Sequence, residues 1–187
     1  MKVLIIDNQD SFTYNLKHYV QQFYTNVDVL RASEINIESI AEYTKFILSP
    51  GPGLPEEHPI LNQILVNYYQ NKSILGICLG QQSIAEFFGA TLYNLSEVKH
   101  GVSSEIIHYD NSKVFNNLPA RLKGGHYHSW AVSKENFPNE LTVTSENIEG
   151  KIMSIKHKEF DITGLQFHPE SILTENGLKM IENWLTN

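Results

Sequence analysis

From Lys2 to Phe88 the sequence alternates between short apolar runs and stretches of helical spacing. Lys2 to Asp7 is a continuous apolar run ending in an acid, the pattern of a strand buried on both faces. Asp10 or Ser11 offers a side-chain oxygen to first-turn amides, which predicts a helix from there to about Tyr24. Asn26 to Arg31 and Lys45 to Leu48 read as strands, with a short helical turn over Ile37 to Ala41 between them. Pro59 to Gln70 has helical spacing, Ser73 to Ile77 is a fourth strand, and Gln81 to Phe88 continues as a helix. Parallel neighbours need a crossover, and the crossover helix covers the face it crosses. The alternation therefore predicts an α/β fold with an open, mostly parallel sheet flanked by helices.

The second half predicts extra, antiparallel strands. Thr91 to Leu95, Ser104 to His108, Trp130 to Ser133, Leu141 to Glu146, Ile152 to His157 and Ile162 to Phe167 read as strands, punctuated by turns such as Asn147 to Gly150. A last helix is expected from about Glu175 to Leu185. No repeat, low-complexity tract or linker interrupts the chain, so residues 1–187 are expected to form one domain, a length that allows a sizeable core. The net charge is -7 and no Lys/Arg cluster occurs, which argues against a nucleic-acid face. Apolar runs such as Val3 to Ile6 are far shorter than the roughly 20 residues of a membrane span. The N-terminus lacks the apolar segment of a secretory leader, and a lone cysteine allows no internal disulfide. A cytoplasmic location is expected.

That cysteine, Cys78, stands in Gly76-Ile77-Cys78-Leu79-Gly80, between a predicted strand and a predicted helix. A nucleophile flanked by glycines at such a corner is a nucleophile elbow. The glycines leave room for neighbouring backbone, and the side chain stands at the carboxyl end of the sheet, where open α/β folds bind ligands. The helix amides that follow favour thiolate. The alternative is a buried structural cysteine.

A thiol nucleophile needs a base, and the base an orienting group. His168-Pro169-Glu170 follows the last predicted strand directly. Two residues apart in extended backbone, His168 and Glu170 put their side chains on one side, with the proline fixing the backbone between them. Ser49-Pro50-Gly51-Pro52-Gly53 ends the third strand in a rigid loop. Its exposed amides can join that of Leu79 as oxyanion donors. By itself such a cluster is a turn.

In order and spacing, "SPGPG", "GICLGQQ" and "FHPES" resemble the class I (triad) glutamine amidotransferases, a family of flavodoxin-like α/β fold, and the resemblance spans essentially the whole chain. "DNQDSFTYNL" (Asp7 to Leu16) and "HYHSW" (His126 to Trp130) resemble the amidotransferase subunits of anthranilate synthase and aminodeoxychorismate synthase. The resemblance implies that Cys78 attacks the carboxamide of glutamine, His168 moves the protons and Glu170 orients His168. It implies an oxyanion hole from the backbone of Gly53 and Leu79. It implies a glutamine pocket from Gly51, Pro52, Gly53, Gln82 and backbone at Ser129 and Trp130. No metal or organic cofactor is called for. The ammonia goes to a chorismate-using large subunit, making anthranilate for tryptophan or aminodeoxychorismate for folate. The overall pattern points to anthranilate synthase first, with the folate enzyme, or service to both, as the alternative.

Four positions depart from the family pattern. His126 stands where Arg is frequent, Val102 where Lys follows His-Gly, and Gln9 where Tyr is usual. None touches the triad, and Trp130 is a further difference in the pocket segment. Other readings are weaker. His126, His128 and His100 lack the second cysteine or carboxylate cluster of a zinc site. The glycines of residues 51–53 lack the ending of a phosphate loop. Other cysteine hydrolases of this fold, such as gamma-glutamyl peptide hydrolases, fit "DSFTYN" poorly. A non-catalytic binding subunit has no use for all three triad residues.

Overall fold

The computed structural model describes residues 1–109 and 112–186. Among them, strands and helices follow the order β1 (Val3–Asp7), α1 (Thr13–Gln21), β2 (Val27–Arg31), β3 (Lys45–Leu48), α2 (Pro59–Tyr68), β4 (Ser73–Ile77), α3 (Leu79–Phe87), β5 (Leu92–His108), β6 (Arg121–Val132), β7 (Leu141–Asn147), β8 (Ile152–His157), β9 (Ile162–Leu165) and α4 (Gly177–Thr186). The strands form one sheet in the order β2-β1-β3-β4-β9-β8-β7-β5-β6. From β2 to β9 the neighbours are parallel, and from β9 to β6 they are antiparallel. The expected α/β sheet with added antiparallel strands is thus present, divided at β9.

The parallel half is apolar throughout because both its faces are covered. Successive side chains of β1 leave on opposite faces. Val3 and Ile5 pack with Leu16 and Val20 of α1 and with Trp184 of α4. Leu4 and Ile6 pack with Leu61 and Ile64 of α2 and with Phe46. Each fully buried Leu or Ile contributes roughly 1.5–3 kcal/mol.

Several boundaries differ from the sequence expectation; β9, for example, ends at Leu165, two residues before the expected Phe167. The helix α1 begins only at Thr13, and Phe12 at its N-cap makes no side-chain capping bond. The acids before it are occupied elsewhere: Asp10 Oδ1 accepts from the amide of Phe12 at 2.8 Å, and Asp7 Oδ1 from the amide of Gln9 at 3.0 Å. They stabilise a turn instead of capping the helix. The strands expected over Thr91 to Leu95 and Ser104 to His108 are the two ends of β5, which runs unbroken for 17 residues. Trp130 to Ser133 is the tail of the 12-residue β6. The two strands pair as a ribbon, with register shifts between Asn94 and Lys99 and between His100 and Val102. Much of β5 is exposed, so its middle carries no apolar alternation.

The pairing of β4 with β9, Ile77 opposite Leu165, fixes the site. Both strands run the same way, so the residues leaving their carboxyl ends emerge side by side. Those residues are Cys78 and, three past Leu165, His168.

Candidate active site

Cys78 takes φ 52° and ψ -102° between β4 and α3. A non-glycine residue there costs on the order of 1–3 kcal/mol and persists only where its surroundings enforce it. The flanking glycines do that by permitting close approach. A Cβ on Gly76 would collide with the backbone of Gly80, and a Cβ on Gly80 with the carbonyl of Leu48. Strand and helix therefore touch across the corner, and the cysteine itself takes the unusual torsion. The Cys78 amide donates to the Leu165 carbonyl at 2.7 Å, tying the corner to β9. The thiol stands at the carboxyl end of the sheet but is enclosed there. Cys78 is 5 % exposed and packs with Ile77, Leu165 and Phe167.

His168 and Glu170 are 1 % and 3 % exposed. Nδ1 of His168 lies 2.8 Å from Oε1 of Glu170. The backbone between is tied as well: the His168 amide donates to Gly125 at 3.0 Å, and Thr174 Oγ1 donates to the His168 carbonyl at 2.5 Å. Nε2 has no aligned hydrogen-bond partner, yet the Cys78 sulfur is close enough to act on its charge. Burial works against a charged imidazole, but Cys78 and Glu170 outweigh it and push the His168 pKa up to about 10. The structure thus brings thiol, imidazole and carboxylate to one sheet edge, in surroundings that favour the charged imidazolium of His168.

The remaining predicted residues lie around this edge. In Ser49 to Gly53, Asn8 Nδ2 donates to the Ser49 carbonyl at 3.0 Å, and Ser49 Oγ donates to the Pro50 carbonyl at 2.7 Å. Gly51 seats against Leu79 and Asn8, where a Cβ would come within 2.7 Å of either side chain. Pro52 and Gly53 continue to the surface, Gly53 at φ 74°. Leu79 is the first residue of α3, so its amide has no acceptor within the helix. Gln82 Nε2 donates to the Trp130 carbonyl at 3.0 Å and to Gln166 Oε1 at 3.2 Å. Of the pocket residues expected from sequence, Gln82 and Trp130 are therefore joined directly, Ser129 stands next to Trp130 in β6, and the Trp130 carbonyl also lies 2.8 Å from His128 Nδ1.

One residue was not singled out from sequence. Gln166 Nε2 donates to Cys78 Sγ at 3.6 Å while its carbonyl holds Gln82. It precedes His168 by two, at the bend that follows β9, and no local sequence pattern marks it. His126 and His128 lie with ring centroids 5.4 Å apart. Burial lowers His126 to about 3, helped by the neighbouring histidines, and lowers His128 to about 4 against the opposing hydrogen bond to the Trp130 carbonyl, so both are neutral near pH 7. No group of three or more His, Cys, Asp or Glu side chains among the described residues is arranged to hold a metal ion.

Residues 4–187 match the family model described as glutamine amidotransferase class-I. A Haemophilus influenzae protein provisionally named anthranilate synthase component II is 43% identical over 185 residues, covering 99% of this chain and 96% of its own length. The Bacillus subtilis aminodeoxychorismate/anthranilate synthase component 2 is 40% identical over 185 residues, covering 98% of this chain and 95% of its own. In fold, a crystal structure from Thermoplasma acidophilum, provisionally described as one of the subunits of GMP synthase, superposes with a TM-score of 0.89 at 21% identity, covering 99% of this chain and 92% of its own.

Proposed function

The chain belongs to the class I glutamine amidotransferases, and from that premise we propose that it is the glutaminase subunit of an anthranilate synthase. The observation that carries the reading is the strained Cys78 corner beside the buried His168–Glu170 pair. Residues 1–187 act in this reading as one glutaminase domain.

The chemistry follows from that arrangement. The raised basicity of His168 makes it able to accept the proton of Cys78 as the sulfur attacks. Cys78 Sγ attacks the carboxamide carbon of glutamine, forming a C–S bond and an oxyanion. The amides of Gly53 and Leu79 receive that oxyanion, and one such donor is typically worth about 100-fold or more in rate. His168 gives its proton to the nitrogen, the C–N bond breaks, and ammonia leaves a glutamyl thioester. Water then attacks the thioester with His168 as base. The C–S bond breaks, and glutamate and the thiol are restored. Glu170 keeps the imidazole oriented throughout. Gln82, the Gly51-Pro52-Gly53 loop and the backbone of Ser129 and Trp130 hold the amino-acid end of the substrate.

Ammonia is of use only to a second active site. We assign that site to a chorismate-using large subunit, which the component names of the relatives support. Anthranilate synthase is the first assignment. The dual name of the Bacillus relative supports the alternative that the chain serves aminodeoxychorismate synthase, or both. A cytoplasmic location belongs to the same proposal, because a catalytic thiol needs a reducing compartment. Among the described residues, no helix is long and apolar enough to cross a membrane.

The test is glutamine hydrolysis by the purified chain mixed in turn with each kind of large subunit. Stimulation by the anthranilate enzyme alone supports the assignment, stimulation by both makes the chain a shared component, and stimulation by the folate enzyme alone overturns it. Cys78→Ser should abolish glutamine-dependent product while added ammonium still supports it. Failure of ammonium to rescue would refute the division of labour.

A further inference from the structure

The loop after β1 is built to hold one ring. Asp7 Oδ1 accepts from the amides of Gln9 at 3.0 Å and Asp10 at 3.3 Å and from Thr13 Oγ1 at 3.0 Å. Asp10 Oδ1 takes the amide of Phe12 at 2.8 Å, and Gln9 stands at φ 63°. Two carboxylates thus hold a short turn in one shape, and Phe12 is at its end.

The Phe12 ring faces the catalytic histidine. Its centroid is 5.6 Å from the His168 imidazole at 68°, and 5.0 Å from the ring of Tyr127. Tyr127 itself lies 4.8 Å from His168 at 67°. Near-perpendicular ring pairs at such spacings attract with a preferred orientation. Tyr127 is fixed in turn, since its hydroxyl lies 3.0 Å from Ser171 Oγ, the residue after Glu170. The His168 backbone is anchored on both sides, so the freedom left to the imidazole is rotation of the side chain. Glu170 restrains that rotation at Nδ1 only.

We propose that Phe12 and Tyr127 form an aromatic clamp that positions the imidazole of His168 for proton transfer at Cys78. They are positioning residues: neither carries a proton in the reaction. The segments "DNQDSFTYNL" and "HYHSW" each supply one jaw. A leucine fills much of the same space but sets no ring orientation. A misplacement of about 1 Å at a reacting group costs about 100-fold. The rate prediction rests on the glutaminase reading; the alkylation prediction below does not.

The experiment compares Phe12→Leu and Tyr127→Leu with Phe12→Tyr and Tyr127→Phe. For each, kcat and KM for glutamine are measured with the large subunit that stimulates the unmodified chain. The pH profile of Cys78 alkylation by iodoacetamide is measured on the chain alone, with thermal melting as the control for folding. The charged or titratable groups facing His168 are Cys78, Glu170, His126, His128 and Tyr127; the first four stay in place in all the variants, and Tyr127→Phe removes the phenol while keeping the ring. Both Leu variants are expected to lower kcat about 10- to 100-fold with KM changed less than about threefold, and to move the alkylation profile to higher pH. The ring-retaining variants recover most of the rate and the unmodified profile. Leu variants that melt normally yet keep the unmodified kcat and alkylation profile overturn the clamp, as does a change confined to KM. If no large subunit stimulates hydrolysis, the assigned partner falls, and the alkylation profiles alone still decide the clamp.

Discussion

Nδ1 of His168 and Oε1 of Glu170 lie 2.8 Å apart, both buried, on either side of a proline. The short spacer matters. Pro169 locks its own φ, and the carbonyl of His168 is held by Thr174, so the pair has little room to separate. A carboxylate so placed stabilises the charged imidazole and selects the orientation with Nε2 toward the thiol.

Glu170→Gln keeps the shape and removes the charge. The His168 pKa then falls, because one of the two groups that raise it is lost. Glutamine hydrolysis should drop about 100-fold or more, the scale of positioned acid–base catalysis. The alkaline limb of its pH profile should move to lower pH. A variant with unchanged kcat and profile would show that Glu170 is only structural.

Gly80 and Gly89 separate crowding from torsion. A Cβ on Gly80 would strike the Leu48 carbonyl, so Gly80→Ala must push α3 away from β3. Overpacking of this kind costs roughly 1–3 kcal/mol. Gly89 has φ 97° and open space around its Cβ position, so Gly89→Ala costs about 1 kcal/mol from torsion alone. Urea midpoints should fall for both. Glutaminase kcat should fall only for Gly80→Ala, because α3 carries the Leu79 amide. Loss of kcat in Gly89→Ala would contradict this account of the corner.

These glycines also show what was legible in the sequence. Gly76 and Gly80 announce a corner, but not that Cys78 takes the positive φ while they supply clearance. The parallel half was readable because burial on both faces leaves unbroken apolar runs such as Val3 to Ile6. The β5–β6 ribbon was not, because its middle is exposed and strand pairing there leaves no apolar pattern. The start of α1 was misplaced because Asp10 satisfies a turn amide that a capping rule assigns to the helix. Cys78, His168 and Glu170 were readable from local motifs. Burial of the thiol depends on partners far off in sequence, as does the meeting of Phe12 with Tyr127.

Gln166 gives a third prediction. Its amide donates to the Cys78 sulfur at 3.6 Å, a contact that stabilises thiolate over thiol. Gln166→Leu should therefore shift the pH dependence of Cys78 alkylation upward. KM for glutamine should rise as well, because Gln82 loses an acceptor. An unshifted alkylation profile would mean that the long contact carries no energy.

The buried histidines set the stability profile, and the signs differ. His168 is raised to about 10, so its contribution is complete below the ordinary histidine value near 6.5 and is lost as pH rises from there toward 10. His126 is lowered to about 3 and His128 to about 4, chiefly by burial. Below 6.5 the unfolded chain takes up protons at these two positions and the folded chain does not. Stability therefore falls as pH drops from 6.5 toward 4, by up to about 1.4 kcal/mol per pH unit for each histidine. The two windows meet near pH 6.5, where these three residues together favour the fold most. His126→Gln leaves a partner for Ser104 Oγ, which lies 2.8 Å from His126 Nε2. It should flatten the acid side of a plot of unfolding free energy against pH by about one histidine's share. The alkaline side, where His168 and the oppositely acting Lys45, lowered to about 8 chiefly by burial, both contribute, should keep its slope. Denaturant titrations at half-unit steps from pH 4.5 to 9 would read both limbs. Equal acid slopes in the two proteins would mean that His126 takes up its proton without unfolding.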